Sequence, residues 1–196
     1  MGAVEKLKLI SAADYLTGEL VSPIKHESLG GIVDAMAVES NLHNQIATNV
    51  TVALGVALRG KPGRPYNSDT KIHIQLSPAH ERFYYPDASV ICDANPDDDS
   101  FQDQPVVIVE VLSQSTRRID EGEKRDAYLT IPSLRAYVLV EPEQAAVVVY
   151  RRSGQGFNGE IYSGLMSVVP LPEVGIELPL AEIYDRVEFR PEVSVG

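Results

Sequence analysis

The chain has 196 residues, 44% of them apolar, which is enough for a hydrophobic core, and we expect one domain over residues 1–196. Its formal net charge of −11 opposes long-range attraction to nucleic acid or to an anionic membrane. This weighs against a protein that simply coats DNA, but it leaves open an enzyme that holds a phosphodiester through metal ions.

Cysteine content and apolar runs indicate the cellular compartment of the protein. The one cysteine, Cys92, cannot form a disulfide within the chain, which favours a reducing compartment. The N-terminus lacks a basic segment followed by an apolar one, and no apolar run approaches the ~20 residues that span a bilayer. We therefore expect a cytoplasmic protein with no membrane partner.

Two helices and a strand are predicted in the first part of the chain. A short helical pattern covers residues 11–16, with Ser11 as its N-cap. Apolar residues recur at helical spacing over residues 39–58, and the segment 60–63, Gly-Lys-Pro-Gly, ends that helix. Alternating apolar residues predict a strand over residues 71–76.

The second part combines strands with one longer helix. Strands are predicted at residues 88–92 and 106–112, with an acidic loop at 95–100 between them, and a helix at 117–129 follows. The remaining predicted elements are strands at 136–140, 145–150, 160–169 and 175–178, a turn at 154–159 and a helix at 180–185. This order predicts an α+β fold with a mixed central sheet flanked by helices.

A glutamate interrupts the most apolar strand. Glu110 shares a strand face with Ile108 and Leu112. An isolated buried carboxylate costs several kcal/mol or takes up a proton, so something should meet it. Glu110 either pairs with a basic side chain or lies at a wet edge as a structural residue, or it belongs to a functional site.

A lysine on the following helix is a candidate partner for this glutamate. Helical geometry places Lys124 within the apolar stripe, beside Ala127 and Tyr128. An inward lysine must extend its ammonium to solvent or meet a carboxylate. The alternative is a surface pair with Asp120, one turn earlier.

A second carboxylate is fixed in front of a strand. Pro86 stiffens the entry to strand 88–92 and holds Asp87 at a defined point. If that strand lies beside strand 106–112, Asp87 and Glu110 project close together and repel each other unless a divalent cation lies between them. Oxygen ligands of this kind suit Mg²⁺ or Mn²⁺, and with a lysine they form a phosphodiester hydrolysis site.

The trio Asp87, Glu110 and Lys124 resembles the PD-(D/E)XK nuclease superfamily, which has the fold of type II restriction endonucleases. In more detail, "YYPDASVICD", "VVIVEVLSQSTRRIDEGEK" and "ELPLAEIYDRVEF" are similar to the Uma-type family of restriction-endonuclease-like proteins. The segments "HESLGGIVDAMAVESNLHNQIATNV" and "NSDTKIHI" extend the resemblance, which covers about residues 11–189.

The resemblance implies a metal-dependent endonuclease that cleaves DNA. Asp87 and Glu110 would bind Mg²⁺ or Mn²⁺, and Lys124 would orient or activate the attacking water. The superfamily's lysine two positions after the glutamate is replaced by Leu112, and the family pattern puts its substitute at Lys124. The resemblance also implies a homodimer, because such nucleases commonly pair to cut both strands.

Three further residues are predicted to support the site. Asp69, in "SDTK", matches a recurrent family acid, although it is also a natural turn-capping residue. Ile32 stands where family members often have a glutamate, and Asp34, two residues on, offers a replacement on the same strand face. His43, on the long helix, either faces the site or makes a structural hydrogen bond.

Two other functions stay open. The charge of −11, the missing acid at Ile32 and the lack of a basic target-recognition segment favour a nuclease-fold protein that has lost catalysis and serves as a binding or regulatory module. A metal-dependent hydrolase of smaller phosphoesters suits the acidic surface better than duplex DNA does.

Overall fold

A computed structural model describes residues 9–78 and 80–189. The predicted domain over residues 1–196 therefore extends beyond both ends of the described part. No helix within these ranges has the length and apolar character needed to cross a membrane.

The helices are few and mostly short, and one of them contains a π-helical turn. In chain order they are α1 Ala12–Glu19, α2 Asn41–Ala57, α3 Arg117–Ile119, the π-turn Asp120–Lys124, α4 Arg125–Tyr128 and α5 Leu180–Ile183.

Strands make up most of the fold. In chain order they are β1 His26–Leu29, β2 Ile32–Ala35, β3 Arg64–Asn67, β4 Lys71–Ser77, β5 His80–Tyr84, β6 Ala88–Ile91, β7 Phe101–Gln102, β8 Pro105–Val111, β9 Ala136–Val140, β10 Ala146–Ser153, β11 Gly156–Ser163, β12 Val168–Leu171 and β13 Ile176–Pro179.

The strands form two mixed sheets and a separate hairpin. One sheet has the order β2-β1-β5-β4-β7, the other has the order β11-β10-β9-β8-β6-β3, and β12 pairs with β13. The pairs β4–β7 and β8–β9 are parallel and the other strand pairs are antiparallel. The predicted α+β class with a mixed sheet is confirmed, although the division into two sheets was not predicted.

Both faces of the six-stranded sheet are buried at its central strands. Helix α2 packs Ile46, Val50 and Leu54 against one face, together with α5 and the β12–β13 hairpin. The turn-containing segment α3–α4 packs on the other face, where Tyr128 and its neighbours also contact the five-stranded sheet. Strand β8 is therefore covered on both sides, which explains its nearly continuous apolar sequence.

The long helix α2 forms where the sequence predicts it. The side chain of Ser40 caps it by accepting a hydrogen bond from the His43 amide at 3.2 Å. Its buried residues recur at helical spacing, and the chain turns at Gly60, whose φ of 74° favours glycine.

The chain crosses from one sheet to the other at Tyr85-Pro86-Asp87. Strand β5 belongs to the five-stranded sheet, and strand β6, which begins directly after this tripeptide, belongs to the six-stranded one. Proline supplies a stiff crossing without an amide that needs a partner. Asp87 is consequently fixed where the two sheets meet.

Two predicted elements differ in the structure. The turn expected over residues 154–159 is a two-residue turn at Gly154-Gln155, because Ser153 pairs with Gly156 and the positive φ of Gly154 suits a tight hairpin. The strand expected over residues 160–169 is broken at Gly164, which has a φ of 84°, so that its parts become β11 and β12.

Replacement of a buried leucine on α2 should destabilise the fold. Leu54 is fully buried, whereas Val52, two residues earlier, is 59% exposed. We expect Leu54→Ala to lower the free energy of unfolding by about 2–5 kcal/mol, because it leaves a cavity. The control Val52→Ala should change it by less than about 0.5 kcal/mol, as measured by urea denaturation. Equal effects would contradict this packing.

Candidate active site

Asp87 is held by contacts from two other elements. Its Oδ2 accepts a hydrogen bond from the Val111 amide at 2.7 Å and lies 3.2 Å from Nε2 of His43. The Val111 amide belongs to β8 and His43 to α2, so the carboxylate is oriented from both sides. The other oxygen, Oδ1, makes no hydrogen bond within the described ranges, and the side chain is 14% exposed. One oxygen of Asp87 is thus fixed and the other is available.

Glu110 lies beside Asp87, as the strand pairing requires. Strands β6 and β8 are antiparallel with Ala88 opposite Val109, and the Asp87 amide donates to Oε2 of Glu110 at 3.3 Å. The hydroxyl of Tyr128 donates to Oε1 at 3.2 Å. The glutamate is only 5% exposed and therefore does not lie at a wet edge.

Lys124 points inward and contacts acids from three elements. Its Nζ lies 2.8 Å from Oε1 of Glu27, 3.7 Å from Oε1 of Glu110 and 3.7 Å from Oδ1 of Asp120. The ammonium also lies 5.4 Å from the centre of the Tyr84 ring, within the range of a cation–π contact. The predicted inward orientation is confirmed, and the pair with Asp120 exists but is buried and not on the surface.

The π-turn Asp120–Lys124 brings both of these residues inward. Asp120 and Lys124 are 2% and 6% exposed, although the turn has only five residues. The hydroxyl of Tyr137 donates to the backbone oxygen of Asp120 at 2.9 Å and anchors the start of the turn. Single π-turns within α-helices are frequent at functional sites, because they widen the helix locally and redirect side chains.

Glu27 is a site residue that the sequence did not indicate. It comes from β1 in the five-stranded sheet, and its Oε1 accepts from both Lys124 and the Tyr85 amide, the latter at 3.1 Å. Its side chain is 14% exposed, like that of Asp87. Glu27 precedes the Gly30-Gly31 turn, and attention to acids on both strands of that hairpin would have found it.

The predicted supporting residues lie in different places. His43 contacts Asp87 directly and is 5% exposed. Asp34 is exposed on β2, where it lies opposite Glu27 in the strand register, so the two side chains share a face.

Asp69 lies outside the cluster around Lys124. It forms an ion pair with Lys25 at 2.6 Å and is 71% exposed. The side chain of Asn67 accepts from its amide, as expected of a residue in the β3–β4 turn. Its contacts are those of a turn residue, and they do not bring it to the proposed active site.

The cluster contains more acids than cations. Burial raises the pKa of Glu110 well above its ordinary value; Lys124 opposes this shift, while Asp120, Asp87 and Glu27 add to it. Burial would lower the pKa of Lys124, but the surrounding Glu110, Glu27 and Asp120 outweigh it and raise this pKa. Lys124 therefore stays charged, whereas burial and the neighbouring acids disfavour the charged form of Glu110.

The contact with Asp87 changes the pKa of His43. Burial by itself would lower the pKa of His43, but the contact with Asp87 outweighs burial and raises it. Its Nδ1 is buried and has no hydrogen-bond partner in the described part of the chain. The histidine thus has a single strong polar contact, with Asp87.

The donor set fits a divalent cation of the magnesium type. Among residues 9–78 and 80–189, no three His, Cys, Asp or Glu side chains form a ready-made metal site. Mg²⁺ does not need three protein ligands, because it keeps several waters and binds one or two carboxylates together with substrate phosphates. The excess of acid around Asp87 and Glu110 is the charge that such a cation would neutralise.

Mixed sheets flanked by helices place this chain among proteins of restriction-endonuclease-like fold. A family model matches residues 12–181, and the chain belongs to that family, Uma2, described as "Putative restriction endonuclease".

Two relatives from Synechocystis sp. are the uncharacterised proteins sll1609 and slr1290. They are 29% identical over 180 residues and 32% identical over 181 residues. The first alignment covers 86% of this chain and 100% of the relative, and the second covers 92% and 94%.

A similar solved structure is that of a "putative nuclease belonging to DUF820" from Anabaena variabilis. It has a TM-score of 0.66 and 17% identity, with 86% of this chain and 96% of that chain covered. At this identity the likeness supports the restriction-endonuclease-like fold.

Removal of the central ammonium should destabilise the protein. Lys124→Met leaves Glu27, Glu110 and Asp120 without their shared cation, and we expect a loss of about 3–5 kcal/mol in the free energy of unfolding. The control is Arg125→Met, because the Arg125–Asp126 pair is at the surface and should contribute less than about 1 kcal/mol. Urea denaturation measures both, and similar values for the two variants would contradict the cluster.

Proposed function

We propose that this protein is a metal-dependent nuclease that hydrolyses DNA phosphodiester bonds with a PD-(D/E)XK-type site. The observation that carries the proposal is that Asp87, Glu110 and Lys124 come from three separate elements and meet at one place. Membership of the Uma2 family supports a nuclease. The metal, the substrate and the roles of the individual residues are proposals.

Each residue of the site has a distinct role in this proposal. Asp87 and Glu110 would hold Mg²⁺ or Mn²⁺, and the Val111 amide and His43 fix the orientation of Asp87. When bound, the ion would polarise the phosphate and make a water more acidic. Lys124, held by Glu27 at 2.8 Å, orients the attacking water or offsets charge that develops on the phosphate.

The surroundings of the site offer some positive charge for a DNA backbone. A shallow cleft of ≈ 360 Å³ lies beside the segment that follows β8, and it is lined by Gln114, Arg117, Arg118, Glu121 and Gly122. Arg117 is engaged by Glu141 at 2.6 Å, whereas Arg118 is exposed and makes no ion pair within the described ranges. Arg118 is therefore available for a phosphate.

The cellular setting and the assembly follow from weaker observations. The single cysteine supports a reducing, cytoplasmic environment. The family resemblance supports a homodimer, since cleavage of both strands of a duplex needs two active sites.

A second candidate is a nuclease-fold module that binds without cleaving. The observation that favours it is the low exposure of Glu110 and Lys124, at 5% and 7% of their side-chain surface. A substrate could reach the cluster only from the side of Asp87 and Glu27, which are more exposed.

Metal binding should require the two carboxylates. We expect wild type to give saturable heat when titrated with Mg²⁺ or Mn²⁺, with and without a short DNA duplex, and Asp87→Asn/Glu110→Gln to give none. The matched control is Asp98→Asn/Asp99→Asn, which removes two acids from an exposed loop. A double mutant that still binds as wild type does would exclude this pair as the metal site.

Cleavage should depend on Asp87 and not on Asp69. With Mg²⁺ and supercoiled plasmid, Asp87→Asn should slow nicking at least about 10²-fold, because loss of a metal ligand removes several kcal/mol of transition-state stabilisation. Asp69→Asn should be close to wild type, since Asp69 lies outside the cluster, and a chelator should stop the reaction.

The same assays separate the rival functions. Wild type that hydrolyses bis-p-nitrophenyl phosphate but not plasmid would be a hydrolase of smaller phosphoesters. Wild type that binds metal or DNA and hydrolyses neither would be the binding module, and the nuclease proposal would fail.

A further inference from the structure

The four outer strands of the two sheets differ in how their edges are protected. An exposed edge pairs readily with another chain unless it is short, charged or interrupted by proline. Strand β7 has only two residues, and β3 has four, including Arg64 and Pro65. Strand β2 also has four residues, with the charged Asp34, and the Ile10 amide donates to Gly31 directly before it. Three of the four edges are therefore protected.

The remaining edge, β11, has none of these protections. It has eight residues and contains no proline, lysine or arginine. Its single charge, Glu160, is paired inside the protomer, because Arg151, which also contacts Glu173, donates to it at 2.9 and 3.2 Å. Within the described part of the chain, β10 is the only strand that pairs with β11.

Exposed apolar side chains lie on β11 and just beyond it. Ile161 is 77% exposed, and Leu165, Met166 and Val168 are 47%, 95% and 39% exposed. The segment 156–168, which we call the β11 strip, carries one charged residue in a chain of which 23% is charged. A long edge with a single, paired charge and exposed apolar residues is typical of a pairing surface.

We propose that the β11 strip is an interface between two copies of this chain, which pair antiparallel about a two-fold axis and join their six-stranded sheets into one. Antiparallel pairing about such an axis places the same strip on both partners, so a surface whose single charge is already paired can complement itself. The choice of a second copy as the partner rests partly on the homodimer in the proposed function. The observation that β11 is an exposed edge is independent of that function.

Molar mass tests the pairing without any cleavage assay. Wild type should have twice the mass of one chain by light scattering at about 50 μM. The concentration is specified because association depends on it. Ile161→Lys/Met166→Lys should have the mass of one chain, because lysines on an edge oppose pairing. Both positions are exposed, so circular dichroism should match wild type. The control Val52→Lys/Val56→Lys, on the exposed side of α2, should stay dimeric.

Cross-linking identifies the strand at the interface. In a Cys92→Ser background, single cysteines at Phe157, Gly159 and Ile161 probe one face of β11. The position nearest a two-fold axis faces its own copy and should form an intermolecular disulfide, which needs Cα atoms about 4.4–6.8 Å apart. Val52→Cys in the same background should not cross-link.

The outcomes separate this inference from the nuclease proposal. If wild type stays monomeric, the inference is wrong, and the β11 edge is available to a strand of a different partner. The inference is also wrong if Ile161→Lys/Met166→Lys stays dimeric and no β11 cysteine forms a cross-link. In that case the homodimer of the proposed function would stand, with a different interface. Neither measurement needs metal or DNA, so a dimer without nuclease activity would leave the β11 interface standing.

Discussion

A single buried ammonium group joins the parts of this fold. Nζ of Lys124 contacts Glu27 from the five-stranded sheet, Glu110 from the six-stranded sheet and Asp120 from its own helical segment. Buried charges are tolerated only when they are paired, so the position of each of these elements depends on the other two. The cluster of acids around Lys124 that joins these elements is also the centre of the proposed active site.

The cluster is built with more negative charge than it can neutralise. The surface pair Arg125–Asp126 matches one charge with one opposite charge. Around Lys124 the acids outnumber the cations, and burial raises the pKa of Glu110 well above its usual value. Groups that serve only stability are seldom arranged in this way, because repulsion between buried acids is costly. In the proposed function, this excess is the charge that a bound divalent cation would neutralise.

Rigid surroundings hold these acids in position. Strand β8, which carries Glu110, is buried on both faces and paired on both edges. Asp87 cannot move far from it, because the Val111 amide of β8 binds its carboxylate and Pro86 stiffens the chain before it. Sites on such elements keep their geometry better than sites on loops. The unprotected β11 lies three strands away in the same sheet, so the proposed pairing and the site share one scaffold.

The sequence alone determined the local features. Helical spacing located α2 and the inward face of Lys124, apolar runs located β8, and proline marked the fixed position of Asp87. Tertiary structure decided which distant residues meet. Glu27 was missed because its contact with Lys124 spans 97 positions (124 minus 27). The sequence left open whether Asp69 supports the site or caps a turn, because a turn residue carries no signal of its direction, and the structure pairs it with Lys25. The π-turn was missed because five residues cannot distinguish its period from that of an α-helix. Local periodicity depends on backbone geometry, whereas the site depends on how two sheets pack, which neighbouring residues do not encode.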